Sequence, residues 1–252
     1  MSNTLTYKFL TDVGIVSNNG RLEVYLKNAK VDWKTKYGKF VLGLQGLNVF
    51  EVQKNTWGYR SIDKTAMNRN KWASSADMGI GYYQKYKELN YSILVTNGAG
   101  YKNHEDDSYK KFSAQAFYGP SKLNFKTGWN IGGVVTYESY TNNDYKIVEG
   151  IFGGFSSGII RVGAEFDKLF NSGLDESIKI VSGYVNIELN NRFNIFGRID
   201  NLSNSDYVNN YFIAGISVIP EKGLKIMPNI RYISNSDIKN IIKYNLNFEF
   251  KI

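Results

Sequence analysis

The last nine residues, YNLNFEFKI, alternate without exception: Tyr244, Leu246, Phe248, Phe250 and Ile252 share one parity, and Asn245, Asn247, Glu249 and Lys251 the other. Successive side chains of a strand point to opposite faces, so such a segment has one apolar wall and one polar wall. A helix would spread both classes around its circumference. The pattern recurs in segments of about 10 residues, the length at which a tilted strand crosses a bilayer. Leu89, Tyr91, Ile93 and Val95 alternate with Asn90, Ser92 and Thr96, and Phe112, Ala114, Ala116 and Tyr118 alternate with Lys111, Ser113 and Gln115. Trp129 to Glu138, Ile160 to Phe166, Phe193 to Asp200 and Leu224 to Tyr232 repeat it.

Counting all such segments predicts about 14 strands, with 12 and 16 as alternatives, near residues 4–16, 20–34, 38–46, 74–84, 88–97, 109–119, 127–139, 144–155, 158–167, 176–189, 192–200, 209–219, 223–233 and 241–252. One segment breaks step. In RLEVYLKNAKVDW, Leu22, Val24 and Leu26 share a parity with Lys30 and Asp32, whereas Ala29, Val31 and Trp33 take the other. One extra residue shifts every later side chain to the opposite face, so a β-bulge near Lys27 or Asn28 is expected.

Strands with one lipid-compatible face raise the question of a membrane. No apolar run approaches the roughly 20 residues of a spanning helix, so crossing would require a closed barrel, in which every backbone polar group is paired. Composition agrees: 19 Tyr, 15 Phe and 24 Gly stand against 3 Pro and no Cys, which favours strands joined by turns. The connections sort into two alternating sets. One is short, at 37–38, 86–87, 156–158, 190–191 and 220–223, with a longer member around Pro120. The other is mostly longer, at 47–73, 98–108, 168–175 and 201–208, with short members at 17–19 and near Asn142 and Asn235. Short periplasmic turns alternating with longer external loops are the pattern of outer-membrane barrels, and an even strand number puts both ends on the periplasmic side. Aromatics toward predicted strand ends, including Trp33, Tyr82, Trp129, Phe166, Tyr211 and Tyr232, fit girdles at two interfaces. The expectation is an all-β chain, residues 1–252, forming a single closed antiparallel transmembrane β-barrel. The start, MSNTLTYKFLTDVGIV, has no signal-peptide pattern, so for a bacterial outer-membrane location a signal is expected to have been removed.

Residues 29–62, AKVDWKTKYGKFVLGLQGLNVFEVQKNTWGYRSI, resemble Gram-negative outer-membrane porins, in particular the phosphate-selective (O/P-type) family, through an alternating strand, a short turn, a G-x-x-x-L-G-x-Q-like strand and a loop containing W-G-Y-R. SSADMGIGYY at 74–83 and VTNGAGYK at 95–102 extend the resemblance. It implies a passive channel, often trimeric, for small hydrophilic or anionic solutes.

Parity places Lys8, Lys39, Lys111, Arg161, Arg198, Lys225, Arg231 and Lys251 on the lumen wall, with Asp77, Glu138, Glu149, Glu165, Glu188, Asp200 and Glu249 as its acids. The signs nearly balance, so the formal net charge of +8 falls mostly to loops, and phosphate specificity is not carried over. Arg161 with Glu165, or Arg198 with Asp200, can equally pair as wall neighbours. Loop 47–73 carries Lys54, Arg60, Lys64, Arg69 and Lys71 against Glu51 and Asp63, with Trp57, Tyr59 and Trp72. A long ordered loop of this kind is usually functional. Folded into the lumen, it would form a constriction at which Arg60, Lys64 and Arg69 bias the pore toward anions; on the surface, the same cations would contact lipopolysaccharide phosphates or a neighbouring subunit.

His104 lies in NHEDDS with Glu105, Asp106 and Asp107, but the spacing matches no EF-hand or zinc pattern, and no metal is assigned. One His, no Cys and no G-x-S-x-G, P-loop or G-x-G-x-x-G motif argue against an enzyme and against a cofactor. Dispersed basic residues without an RRM or OB motif exclude nucleic acid as a partner. The expected partners are outer-membrane lipid and lipopolysaccharide, small hydrophilic solutes or ions, and further copies of the chain in a homotrimer. A non-transporting barrel, serving as an adhesin, structural protein or membrane-embedded enzyme, is the alternative.

Overall fold

A computed structural model describes residues 4–15, 22–105, 107–236 and 238–251. Fourteen strands appear in order: β1 (Leu5–Ile15), β2 (Leu22–Thr35), β3 (Gly38–Gly46), β4 (Ala76–Tyr86), β5 (Leu89–Thr96), β6 (Lys111–Tyr118), β7 (Gly128–Ser139), β8 (Tyr145–Ser157), β9 (Ile160–Asn171), β10 (Glu176–Asn190), β11 (Phe193–Ser203), β12 (Val208–Val218), β13 (Leu224–Asn235) and β14 (Ile238–Phe250). Each pairs antiparallel with its sequence neighbour in one sheet, which curls into the expected barrel. The predicted connection at 17–19 lies outside the described residues.

Its two faces are inverted relative to a water-soluble protein. Outward-pointing Phe9, Ile80, Ile131, Ile151, Leu246 and Phe250 are all more than half exposed, while inward-pointing Gln45, Thr96, Asn130, Asn186 and Ser217 are buried. Period-two alternation is therefore satisfied with polar residues inside and apolar residues outside, as lipid requires. Aromatic pairs such as Tyr118 with Trp129 and Tyr137 with Tyr145, both stacked, lie near strand ends on this outer face.

The predicted bulge is present. Leu10 pairs with Asn28 but Thr11 pairs with Leu26, leaving Lys27 as the extra residue. Both Lys27 and Asn28 thereby border the interior, and the outward face passes from Leu26 to Ala29 without loss. Parity misplaces Glu149, which is exposed between buried Val148 and Gly150; it faces outward with Lys168 directly opposite on β9.

The two sets of connections differ less than predicted. Half of each of the segments 168–175 and 201–208 is strand: β9 runs on to Asn171 and β11 to Ser203, with β12 starting at Val208, leaving turns at 172–175 and 204–207. Polar side chains there misled the reading, because a strand that rises beyond the apolar band no longer alternates. The long loops at this end are 47–75 and 97–110. Leu5 pairs with Trp33 beside the 36–37 turn, and Phe250 pairs with Leu224 beside the 219–223 turn, so the first strand begins and the last strand ends at the opposite, short-turn end.

Candidate functional site

The β3–β4 connection leaves the sheet at Gly46 and folds inside the barrel. It contains two short helices that alternation did not announce, α1 (Glu51–Trp57) and α2 (Ala66–Arg69). Gly58 ends α1 at φ 75°, a left-handed conformation in which glycine avoids the Cβ penalty. A Cβ at that position would also collide with the Arg161 guanidinium.

Two apolar clusters hold the loop. Val49, Phe50, Ala66, Met67 and Trp72 pack against inward-facing Leu94, Val134, Val148 and Ile180. Trp57, Tyr59 and Ile62 pack against Tyr184, Phe196, Tyr211, Ile213 and Met227. These wall residues share a parity with polar neighbours, so sequence alternation alone did not separate them from the outer face. Trp57 is fully buried and meets Tyr59, Tyr184 and Phe196 edge-on.

Polar wall side chains then satisfy the loop's carbonyls. Arg161 donates through Nη2 to Trp57 O at 3.3 Å and through Nη1 to Leu123 O of the β6–β7 connection at 3.0 Å, and Asn186 donates to Trp57 O at 3.1 Å. Arg198 donates to Lys64 O at 2.5 Å and Arg231 to Ile62 O at 2.8 Å. On β14, Asn247 donates to Ser61 O at 3.1 Å, and Glu249 accepts from Ser61 Oγ at 2.7 Å and from Lys225 at 3.1 Å. Each buried backbone acceptor in the loop that meets the wall in this way avoids the cost of an unpaired polar group.

This placement changes the charge arithmetic of the lumen. Arg161, Glu165, Arg198 and Asp200 are buried beneath the loop, and with Asp167, equally buried, they belong to the loop's seat. Arg69, predicted as a constriction cation, is part of that seat too. Its Nη1 lies 2.5 Å from Asp200 Oδ2, and its guanidinium lies 3.7 Å from the Tyr211 ring centroid. The parity count gave near balance because it treated the whole wall as pore, whereas the loop covers Glu165 and Asp200 and engages Glu249 through Ser61, and Glu149 faces outward.

Open space remains on the β1–β6 side. One cavity of about 1030 Å³ runs from the short-turn end past the loop. Lys8, Lys27, Lys30, Lys34, Lys39, Lys54, Arg60, Lys85 and Lys122 border it, with Glu51 as its one bordering carboxylate among the described residues. Four of the cations have carboxylate partners: Lys27 with Asp12, Lys30 with Asp32 and Lys85 with Glu88, at 2.8, 2.9 and 3.8 Å, and Lys54 with Glu51. Lys8 stands directly opposite Lys30 on β1 and β2, and Lys34 directly opposite Lys39 on β2 and β3. Like charges in register are unfavourable within a sheet, and together they create a focused positive potential. Lys39 also sits 4.6 Å over the Tyr83 ring. No sequence motif marks this ladder, because the bulge and the register that assemble it are not contiguous features.

A second cavity of about 740 Å³ opens at the long-loop end, bordered by Lys64, Lys71, Lys102, Lys111, Lys146, Glu138 and Glu176 among others. Lys111 is paired with Glu138 at 2.7 Å. Ser75 borders both cavities. Of the predicted constriction residues, Arg60 thus borders the first cavity and Lys64 the second. Burial holds the Lys64 ammonium below its ordinary value, and the positive charge of Arg60 and Lys102 lowers it further. Burial also lowers the Arg60 guanidinium.

No protein-family model matches the chain, and no curated protein is significantly similar to it in sequence. Solved structures do match. A loop L8 deletion mutant of OmpT, an outer-membrane protein of Vibrio cholerae, is similar with a TM-score of 0.71 at 12% identity, over 99% of this chain and 86% of that one. The anion-selective porin from Comamonas acidovorans is similar with a TM-score of 0.65 at 9% identity, over 99% and 84%. The outer-membrane channel DcaP of Acinetobacter baumannii gives 0.65 at 10% identity, over 97% and 79%. With its inverted faces, fourteen neighbour-paired strands and in-folded loop, the chain has the fold of the outer-membrane porins.

Proposed function

We propose that the protein is an outer-membrane channel, not an enzyme, through which small hydrophilic solutes diffuse passively with a preference for anions. The observation that carries this reading is the open cavity beside the loop, bordered by nine cationic side chains and a single carboxylate among the described residues. A narrow passage lined by one sign of charge favours counter-ions of the other sign. The cations are almost all lysines, which act as rotatable point charges in place of the bidentate forks of arginine; they suit transient contact with a passing anion. Further support comes from one structural neighbour, which is itself an anion-selective porin. A finer kinship with the phosphate-selective family rests on residues 29–102, and homotrimer assembly follows the trimer form of another neighbour.

The test is conductance in planar bilayers, with the reversal potential read in a KCl gradient. Stepwise channel insertion with a reversal potential of anionic sign is expected. Cation preference would overturn the selectivity. The apolar clusters that seat the loop favour one second reading, a non-transporting plugged barrel, and liposomes that fail to swell in small sugars, together with absent conductance, would establish it instead.

A further inference from the structure

The lipid face of the barrel breaks its own rule at one place. Lys168 on β9 and Lys179 on β10 stand directly opposite one another, and both point outward and are exposed. Glu149 on β8 is opposite Lys168 on its other side and is exposed too, yet among the described residues no ion pair reaches any of the three. Like charges in register repel, and a charge on a lipid face is costly except close to the headgroup interface. These lysines are close to it. β9 ends at Asn171, and the turn into β10 belongs to the long-loop end, which in an outer-membrane barrel is external.

The surroundings have the polarity of an amphiphile. An aromatic girdle runs from Tyr137 through Tyr145 to Phe170 and stops there, because the residue opposite Phe170 on β10 is Ser177. Ser203 stands opposite Lys179. Asn201 and Asn210, which share the outward parity of Ile199 and Phe212, are joined Nδ2 to Oδ1 at 2.8 Å. Toward the middle of the barrel the face becomes apolar again with the opposed pair Phe166 and Val181. Beyond them Gly153, Ala164 and Gly183 fall in one row across β8, β9 and β10, a shallow depression in an otherwise bulky wall.

Resting on the outer-membrane placement above, we propose that this patch binds the phosphorylated glycolipid of the outer leaflet, the lipid A part of lipopolysaccharide. A phosphate sits between Lys168 and Lys179, sugar hydroxyls meet Ser177, Ser203 and the asparagine pair, and an acyl chain lies over the small-residue row. An anion between two opposed ammonium groups converts their repulsion into charge-assisted hydrogen bonds. Glu149 repels that phosphate, so removing its charge and removing a lysine's move affinity in opposite directions. The loop cations that the sequence offered for such contact, Arg60, Lys64 and Arg69, lie inside the barrel instead.

The experiment titrates diphosphoryl lipid A onto the whole barrel refolded in detergent free of lipopolysaccharide, with bound lipid counted by native mass spectrometry. The variants are the pair Lys168→Gln and Lys179→Gln, Glu149→Gln, and, as a lumen control, the pair Lys34→Gln and Lys39→Gln, each checked for the heat-modifiable gel shift of a folded barrel. Affinity is expected to fall about tenfold in the Lys168 and Lys179 pair and to rise about twofold in Glu149→Gln, with the lumen pair unchanged. Unaltered binding by the outer-face pair, or an equal loss in the lumen pair, would mean that lipid follows net charge alone and would sink the proposal. Equal affinity for lipid A stripped of its phosphates, or for phosphatidylglycerol, would also overturn it. So would an outer-face pair that changes only the number of barrels per complex, since the row would then be a contact between copies of the chain. Conductance plays no part in the readout: a barrel that binds lipid A but passes no current would overturn the channel reading and leave this one standing.

Discussion

Arg69 of the in-folded loop and Asp200 of β11 are joined Nη1 to Oδ2 at 2.5 Å, while Arg198 grips the same carboxylate through Nε and Nη2 at 2.8 and 2.7 Å. One buried acid thus fastens the loop to the wall. Replacing Arg69 with Gln removes a charge-assisted bond of about 1.5–3 kcal/mol and leaves Asp200 with Arg198. The expected outcome is a folded barrel whose loop leaves its seat more often, read as increased current noise at constant mean conductance.

Trp57→Ala strikes the same seat through packing. Deleting a fully buried indole costs about 3–5 kcal/mol, here charged against loop docking because the strand ladders do not depend on it. Larger sugars should enter liposomes containing the variant than those containing the wild type. An unchanged size limit would mean that the loop is held by its polar tethers alone.

The Lys8 and Lys30 register pair sets stability against selectivity. Lys8→Glu converts a like-charge pair into an attractive one, so the urea midpoint of the refolded barrel should rise slightly. The anion-to-cation ratio should fall by about twofold as a negative charge enters the cavity.

Lys64 of the in-folded loop gives anion preference a pH dependence. Burial first, and then neighbouring cations, hold its ammonium below the ordinary lysine value, so it loses its proton at lower pH than a free lysine. Because the lost charge is positive, anion preference should begin to decline as pH rises toward, but before reaching, the ordinary lysine range. The unfolded chain binds more protons across that window, so loop docking gains stability as pH rises through it. Lys64→Gln should lower selectivity at neutral pH and flatten its alkaline decline.

Much of the barrel was legible because a transmembrane strand imposes a local rule, an apolar residue at every second position, that any one segment displays. YNLNFEFKI shows its two faces without reference to the rest of the chain. Even the bulge could be read, since the change of parity between Leu26 and Ala29 has few physical causes. Glu149 was misread because a charge on the outer face breaks the rule, and only its register with Lys168 shows where it lies. The lumen was legible as a list of inward residues and illegible as a surface. Whether Arg161 or Lys39 meets the open cavity depends on what covers it, and that cover comes from a loop more than a hundred residues away from Arg161 in sequence, at Trp57.

The tethers of the in-folded loop also constrain assembly. Ser61 meets Glu249 and Asn247 across 188 and 186 residues of sequence, so the loop between the third and fourth strands reaches its final position only after the last strand has arrived. Contacts of such separation form late and slowly. Until then its tryptophans and its unpaired carbonyls have no partners on the far wall. An incomplete sheet must carry a half-folded insert, and completion of the barrel and docking of the loop become one cooperative event whose rate the final strand controls.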